Sequence, residues 1–319
     1  MIDGKICVVG CSGFVGSHVT AALLARGCEI NGTLREAEGP KADWLISGVA
    51  ARGLAGARLN LFSADVFDKD SLKAAMAGCT GAIICAGSPV VEPETIDLMV
   101  AVAENGCDAA IEAGLRQAVF TSSTGSTNPP EGEPELKNEI DHWSDPELQL
   151  SQGKFAAVGK TRLDRIVLQR METSGGAFRV AVINPSMILG PAFSPEPVVS
   201  HTRFADIING SRFADRIPNA SMSLIDVRDL AMLHVNALER GEARGRYFGV
   251  RQSWRWREIL AALERAWPAY HMPPIDPGEI PVRPTAFELT RQNTLGVHIR
   301  GLDEMIRAHV EELERRRMI

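Results

Sequence analysis

Three glycines near the start of the chain, Gly10, Gly13 and Gly16, have the spacing of a phosphate-binding turn. They follow a short apolar run at 5–9 and precede apolar residues at helical spacing, so the turn should join a buried strand to a helix. In such a turn the first glycine allows the tight bend, the second lets the backbone approach a pyrophosphate, and the third allows close packing of the helix on the strand. The positive N-terminus of the helix then receives the phosphates. This context predicts a dinucleotide-binding site.

The ends of the second and third predicted strands carry residues that suit the rest of a dinucleotide. Arg35 lies about 20 residues beyond the glycine turn, where an NAD site usually has an acid for the ribose 2′-hydroxyl. Its planar fork of donors suits a 2′-phosphate, and Lys41 could assist, so we predict NADP(H). The alternative is that Arg35 and Glu36 simply form a solvent-facing neighbourhood. Asp65 is placed to meet the adenine amine, although an aspartate that caps the following turn would look the same.

Strands alternate with helices along the first 185 residues. The predicted strands are 5–9, 29–34, 57–64, 82–86, 117–121 and 178–183. The predicted helices include 14–26, 94–113 and about 155–174. This alternation is typical of right-handed βαβ units, so we predict an α/β fold with a Rossmann-type, doubly wound parallel sheet.

The pattern changes after Pro185. Prolines at 191, 195, 197 and 218 interrupt it, which indicates loops over a site rather than further sheet. Further on, 226–239, 254–267 and 302–316 are predicted helices and 246–250 a strand. We predict an NADP-binding Rossmann domain over 1–185 that regains the chain at about 224–240. Residues 186–223 and 241–319 would form a smaller C-terminal substrate lobe.

The composition excludes several classes of protein. A formal net charge of −6 argues against a nucleic-acid partner, because phosphate binding needs a basic surface. No apolar run approaches the ~20 residues of a membrane span, and the N-terminus lacks the apolar core of a signal peptide. The six cysteines form no Cys-x-x-Cys pair and no zinc-site spacing, which predicts reduced thiols in a cytoplasmic protein without a metal. The amphipathic helices are compatible with a monomer or a homodimer.

Further motifs follow the glycine turn in a fixed order. They are 64–66 (ADV), 78–81 (GCTG), 86–89 (AGSP), 120–128 (FTSSTGSTN), 141–145 (DHWSD), 184–186 (NPS), 189–191 (LGP), 225–231 (IDVRDLA) and 294–297 (TLGV). This ordered set resembles the extended short-chain dehydrogenase/reductases of the NAD-dependent epimerase/dehydratase superfamily, in the subgroup of dihydroflavonol 4-reductase and cinnamoyl-CoA reductase. The resemblance covers nearly the whole chain, and its specificity comes from the order of the motifs.

The resemblance implies a reaction in which a hydride passes between a nicotinamide and a carbonyl or alcohol carbon. In that family a serine hydroxyl holds the substrate oxygen and a tyrosine exchanges the proton. A lysine lowers the pKa of the tyrosine and bonds the nicotinamide ribose. Ser123 matches the serine and Lys160 the lysine, although a serine at this point could simply cap the following turn.

The resemblance also implies the residues that line the two ligands. For the cofactor they are Gly10, Ser12, Gly13, Phe14, Val15, Gly16, Arg35, Lys41, Asp65, Val66, Ala86, Gly87, Lys160, Pro185 and Ser186. For a small-molecule carbonyl substrate they are Ser88, Asn128 and Met187. Asn128 matches a substrate-recognising asparagine of the subgroup, but a turn asparagine ahead of two prolines would look the same. The substrate is expected to lie between Ser123, Asn128 and the proline-broken segment 187–216.

The tyrosine of this family is absent. Its motif, Tyr-x-x-x-Lys, ends at Lys160 and begins at Ala156, and the two tyrosines of the chain, Tyr247 and Tyr270, lie elsewhere in the sequence. Three explanations stand: a reductase whose tyrosine was deliberately replaced, a natural relative that uses water or another acid, and a non-redox NADP-binding protein, lyase or isomerase. We favour an NADPH-dependent reductase of a ketone or aldehyde, here without its catalytic tyrosine.

Overall fold

The computed structural model describes residues 4–87, 92–275 and 278–319, so the predicted substrate residue Ser88 lies outside the described residues. The strands are β1 (Lys5–Val9), β2 (Glu29–Leu34), β3 (Leu59–Ser63), β4 (Gly81–Ile84), β5 (Gln117–Thr121), β6 (Arg179–Pro185), β7 (Met187–Leu189), β8 (Ser221–Asp226), β9 (Gly245–Gly249) and β10 (Gln252–Arg255). The helices are α1 (Phe14–Ala25), α2 (Pro40–Val49), α3 (Lys69–Met76), α4 (Glu94–Glu112), α5 (Pro146–Ser151), α6 (Phe155–Thr173), α7 (Val199–Ile208), α8 (Val227–Glu239), α9 (Trp256–Ala266), α10 (Thr290–Thr294) and α11 (Leu302–Arg315). No helix within these ranges is long and apolar enough to cross a membrane.

Seven strands of the described residues form one parallel sheet in the order β3-β2-β1-β4-β5-β6-β9. The chain moves outward from β1 to β3, then returns to the other side of β1 with β4. This reversal makes the gap between the ends of β1 and β4 the switch point, where doubly wound sheets bind their ligands at the carboxyl ends of the strands. The predicted Rossmann-type, doubly wound sheet is confirmed.

Apolar residues on both faces of the sheet explain why helices cover both sides. Along β1 the side chains alternate between two buried clusters, with Ile6 and Val8 in one and Cys7 and Val9 in the other. Helices α1 and α8 pack together over the first face, and α3, α4 and α6 over the second. Strands buried on both faces read as continuous apolar runs, which is the pattern of β1 and β4.

A second, three-stranded sheet in the order β10-β8-β7 builds the smaller part of the molecule. With α7, α9 and α11 it encloses a separate apolar cluster that includes Phe204, Trp256 and Met305. The prediction that the proline-rich segment after Pro185 forms loops rather than sheet is therefore wrong, because it contains β7 and α7. Prolines there fall between these short elements and do not interrupt them.

The division into two domains stays a prediction, and the structure bears on its boundaries. Residues 245–249, which we assigned to the smaller lobe, form β9 and pair with β6 in the large sheet. The helix predicted from Trp254 begins at Trp256, because Trp254 and Arg255 belong to β10 and pair with β8. Strand β6 also continues through the predicted break to Pro185, which has no amide hydrogen to offer the ladder at this last position.

A buried histidine cluster fastens α11 to the loop after β7. The Gly190 amide donates to Nδ1 of His309 at 3.1 Å, and the Gly190 carbonyl lies 2.9 Å from Nε2 of His201. The two imidazole rings are 5.0 Å apart. Burial lowers the pKa of His309 to about 3 and lowers the pKa of His201 as well. Both rings are therefore neutral near pH 7.

This cluster predicts loss of stability in mild acid. His309 has a folded-state pKa below the ordinary 6.5, so the unfolded chain binds more protons as the pH falls below 6.5. Each such histidine makes the free energy of unfolding fall by up to about 1.4 kcal/mol per pH unit in that range. His309→Gln, which cannot titrate there, should reduce the loss between pH 6.5 and 5 by about 2 kcal/mol, as measured by urea unfolding. The matched control His271→Gln, at an exposed histidine, should keep the wild-type slope. Equal slopes in all three proteins would contradict the prediction.

Candidate active site

The glycine turn between β1 and α1 has the shape that a pyrophosphate needs. Gly10 has a φ of +78°, and a Cβ added to Gly16 would lie 2.1 Å from the Gly10 carbonyl oxygen. Gly13 is the exposed N-cap of α1, and no side chain caps this helix end. The first amides of α1 are thus open to an anion. Ser12 and Phe14 are half-buried beside the turn and Val15 is buried.

Arg35 lies beside this turn because the end of β2 is tied to it. The amides of Gly10 and Cys11 donate to the carbonyl oxygen of Thr33 at 3.2 and 3.0 Å. Arg35 follows β2 directly, is exposed, and makes no hydrogen bond or ion pair to other described residues. Glu36 is exposed as well, so the alternative of a solvent-facing neighbourhood is also compatible with the structure. Lys41 is exposed in the first turn of α2.

The residues predicted to flank the adenine and the nicotinamide follow β3 and β4. One Asp65 carboxylate oxygen accepts from the Phe67 amide at 2.9 Å, which is the turn-capping geometry that we considered as the alternative. The carbonyl of Val66 accepts from Asn105 at 2.8 Å, so this residue is held from α4. Ala86 approaches the turn, since a Cβ on Gly10 would lie 3.1 Å from its Cα. Gly87 follows and is exposed.

Ser123, the predicted serine, follows β5 at the same edge of the sheet. Its hydroxyl oxygen accepts from the Gly125 amide at 3.0 Å and opens a short 3₁₀ turn at Thr124–Ser126. The serine therefore caps the turn, as the alternative reading proposed. The hydroxyl hydrogen is still available, so capping and donation to a substrate oxygen are compatible. Ser122 is buried and its hydroxyl faces the carbonyl of Lys160 at 3.5 Å.

Helix α6 brings position 156 and Lys160 to this edge. Ala156 is the second residue of the helix and half-buried, and Lys160 lies one turn later on the same side. The Lys160 ammonium donates to the carbonyl oxygen of Thr121 at 2.7 Å. Burial lowers the pKa of Lys160 to about 8, against the opposing effect of Asp164. Lys160 is thus hydrogen-bonded to the last residue of β5, Thr121, which lies two residues before Ser123.

Neither tyrosine of the chain replaces the missing one. Tyr247 is buried in β9, and its hydroxyl accepts from the Arg244 amide at 3.3 Å, before the start of that strand. The sheet is parallel, so this end of β9 is opposite the edge that holds Ser123. Tyr270 is buried in the apolar cluster of the smaller sheet. The side chain at position 156 therefore has no phenolic substitute among the residues described.

A buried polar network that sequence reasoning did not assign to the site holds the Ser123 turn. The Asn184 amide donates to the Ser123 carbonyl at 3.0 Å, the Ser126 hydroxyl at 2.9 Å and the Asp164 carboxylate at 2.9 Å. Arg246 lies 3.9 Å from Asp164 and also donates to backbone carbonyls of the 126–142 segment. The sequence signals available for this network were the NPS motif at 184–186 and Asp164, the acid four residues after Lys160. The partners come from β6, α6 and β9, so their meeting was not readable.

Of the predicted substrate residues, Asn128 lies in the loop between β5 and α5, and Met187 follows the carboxyl end of β6. Asn128 is exposed, and its side-chain oxygen accepts from the buried Lys137 ammonium at 2.7 Å. Pro185 is buried, Ser186 is half-buried, and Met187 opens β7. Lys137 was not predicted to take part, and it leaves the Asn128 amide hydrogens as the free donors. No cluster of metal-ligating side chains occurs in the residues described.

Comparisons with known proteins agree with this fold. Residues 6–248 match the NAD dependent epimerase/dehydratase family. Cinnamoyl-CoA reductase 1 of Oryza sativa subsp. japonica is 32% identical over 93% of this chain and 86% of its own length. Vestitone reductase of alfalfa superposes with a TM-score of 0.80 at 22% identity, covering 99% of this chain and 100% of its own. Yeast methylglyoxal/isovaleraldehyde reductase Gre2, solved with NADPH, gives 0.77 at 18% identity and 98% of both chains.

The residues matched by the family, 6–248, include the glycine turn, the Ser123 turn, Lys160 of α6 and most of β9. The two superpositions support the fold alone, whereas the family match and the rice relative bear on descent. The predicted family resemblance is confirmed. The chain belongs to the NAD dependent epimerase/dehydratase family.

Proposed function

We propose that this protein is an NADPH-dependent reductase that converts a ketone or aldehyde of a mid-sized organic substrate to an alcohol, in a form without the family tyrosine. The class of activity, oxidation–reduction at a carbonyl or alcohol carbon, is confirmed by the relatives. The finer assignment is carried by one observation. Lys160 donates to the carbonyl of Thr121, two residues before Ser123, at the edge of the sheet that holds the glycine turn.

Each residue of the proposed site has a defined task. The backbone of the glycine turn binds the pyrophosphate, and Arg35 with Lys41 binds the 2′-phosphate. A dihydronicotinamide held there would supply the hydride for the carbonyl carbon. The Ser123 hydroxyl donates to the carbonyl oxygen and stabilises the negative charge that grows there. Lys160 contributes a positive charge at the same point and can bond the ribose.

The substrate is proposed to lie between Ser123, Asn128 and the segment that begins at Met187. Lys137 donates to the side-chain oxygen of Asn128. The side-chain NH₂ group of Asn128 is then left to donate to a carbonyl or hydroxyl oxygen of the substrate. Segment 187–216 contributes β7 and α7, and relatives of different specificity would differ most in such connections. Ser88, also proposed for this site, lies outside the described residues.

Ala156 favours a second candidate, a protein of the same fold that binds NADP without redox chemistry, or a lyase or isomerase. The two candidates differ in one measurement. NADPH absorbance is followed in single turnovers with aromatic and polyketide-like ketones and aldehydes, using the chain as it stands and its Ala156→Tyr variant. Oxidation of NADPH that depends on a carbonyl compound supports the reductase. Tight NADPH binding without oxidation in either protein supports the second candidate.

We further propose a cytoplasmic location and a monomeric or homodimeric state. The six cysteines all lie in the described part of the chain and form no disulfide there, which is typical of a reducing compartment. We also retain two domains, a cofactor domain and a smaller substrate lobe, with β9 moved to the cofactor domain. The negative net charge favours small-molecule partners over nucleic acid. Size-exclusion chromatography with light scattering tests the oligomeric state.

A further inference from the structure

The ammonium group of Lys160 is placed one helical turn beyond the side chain that this chain has lost. Ala156 and Lys160 are four residues apart on α6, so they lie on the same side of the helix. Where a phenol would fill the space between them, an alanine methyl leaves room for a substrate oxygen to come nearer to the lysine. Ala157, the next residue, is also small and lies beside the Ser123 turn.

The hydrogen bonds of Lys160 leave donors available. Its ammonium has one acceptor among the described residues, the Thr121 carbonyl at 2.7 Å, and no ion pair within 4.0 Å. An ammonium carries three N–H donors, so two remain for ligands. Asp164, the nearest acid in the helix, is engaged by Ser126 and Asn184.

From these contacts we propose that Lys160 is itself the proton donor to the substrate oxygen in this chain. The proposal rests on the proposed reductase function and extends it. In the reduction, the carbonyl carbon accepts the hydride and the π electron pair moves to oxygen. That oxygen takes a proton from Nζ of Lys160, so an O–H bond forms while an N–H bond breaks. The lysine is left as a neutral amine, which recovers a proton from water.

The groups around Lys160 suit this task. Thr121 also contacts His234 Nε2 at 2.7 Å and Cys85 Sγ at 3.4 Å. Burial lowers the pKa of His234 to about 4 and raises the pKa of Cys85 to about 11, so both are neutral near pH 7. Asp164 opposes the effect of burial on Lys160, and burial still lowers the pKa of Lys160 to about 8. An acid whose pKa lies near the working pH is an effective proton donor.

The first test needs no turnover. Protein labelled with ¹³Cε-lysine is titrated by NMR without cofactor. We expect one lysine resonance with a midpoint near pH 8, far below ordinary lysine, and its loss in Lys160→Met identifies it. Lys154→Met, at an exposed lysine just before α6, is the control that should keep this resonance. A midpoint above pH 10 for Lys160 would overturn the proposal.

The second test measures single-turnover NADPH oxidation at saturating cofactor. The rate should be constant at low pH and fall about tenfold per pH unit above the Lys160 pKa. Lys160→Met should lose at least about tenfold in rate together with this break. Added methylammonium should restore part of the rate of Lys160→Ala, which a residue that only holds the ribose would not allow. Lys154→Met should match the wild-type profile.

The outcomes separate this proposal from the proposed function. If Ala156→Tyr reduces carbonyls and the wild type does not, the lysine proposal is wrong and the reductase assignment stands. The same holds if Lys160→Met keeps the wild-type maximal rate and loses only NADPH affinity, because water would then be the donor. If neither the wild type nor Ala156→Tyr oxidises NADPH with any carbonyl compound, the proposed function itself is wrong.

Discussion

Ala156→Tyr is expected to raise the rate of NADPH-dependent carbonyl reduction by at least about two orders of magnitude. The phenol would stand at the family's own position and would add to the Lys160 donor proposed above, and a positioned general acid typically contributes 10²–10⁴-fold. Residue 156 is half-buried on the same side of α6 as Lys160, whose ammonium is held at 2.7 Å from the Thr121 carbonyl. A phenol there would come under the influence of that positive charge, which lowers its pKa and makes it a better acid. The measurement is the single-turnover rate at saturating NADPH with a panel of ketones and aldehydes.

Two control variants separate the hydroxyl from the ring. Ala156→Phe adds the same ring without an acidic hydrogen, so it should fill the space and give no gain in rate. Phe155→Tyr adds a phenol to the adjacent residue, which points about 100° away around the helix, and it should also leave the rate unchanged. If Ala156→Phe were as active as Ala156→Tyr, the gain would come from packing and the general-acid explanation would be wrong.

NADPH binding should not change in the tyrosine variant. The glycine turn and Arg35 are far from position 156 in the sequence, and no hydrogen bond among the described residues joins them to it. This gives the experiment a second reading. A variant that binds NADPH as well as the wild type and yet remains inert across the whole panel would favour a lyase, an isomerase or a binding protein. The same variant with lost NADPH binding would instead indicate a damaged fold, which circular dichroism and thermal unfolding would detect.

The parts of the fold that depend on local sequence were predictable. The apolar run of β1, the glycines of the turn and the periodicity of α1 are determined by neighbours in the chain, and the structure has them where expected. Strand β5 also agrees residue for residue, since it is a β-branched and aromatic run closed by polar residues. The parallel arrangement of the strands followed from the alternation of strands and helices alone, because right-handed crossovers allow few other arrangements.

The parts that depend on distant contacts were not predictable. Asn184, Asp164 and Arg246 come from three separate elements, and only the folded chain shows that they hold the Ser123 turn together. Strand β7 is three residues long and lies between prolines, so its pairing with β8 had no periodic signal. The contact of Lys137 with Asn128 likewise required the geometry of the loop between β5 and α5.

Arg35→Ala is expected to weaken NADPH binding by about 10- to 100-fold while NADH binding changes little. A hydrogen bond to a charged group is worth about 1.5–3 kcal/mol, and each 1.4 kcal/mol is a factor of ten in affinity. Arg35 has no competing partner among the described residues, so its whole hydrogen-bonding capacity is available to the 2′-phosphate that distinguishes the two cofactors. Calorimetric or fluorescence titration of both cofactors gives the two dissociation constants.

Arg58→Ala is the matched control for charge. Arg58 is an exposed arginine that pairs with Glu29, the first residue of β2, whereas Arg35 follows the last residue of that strand. If net charge alone controlled NADPH affinity, both variants would lose it equally, whereas a 2′-phosphate contact predicts loss in Arg35→Ala only. Salt adds an independent check, because an exposed arginine–phosphate pair is screened at high ionic strength. The wild-type preference for NADPH should therefore narrow with added salt, and in Arg35→Ala it should be small at every salt concentration. Equal wild-type affinities for NADPH and NADH at low salt would mean that the end of β2 does not select the cofactor.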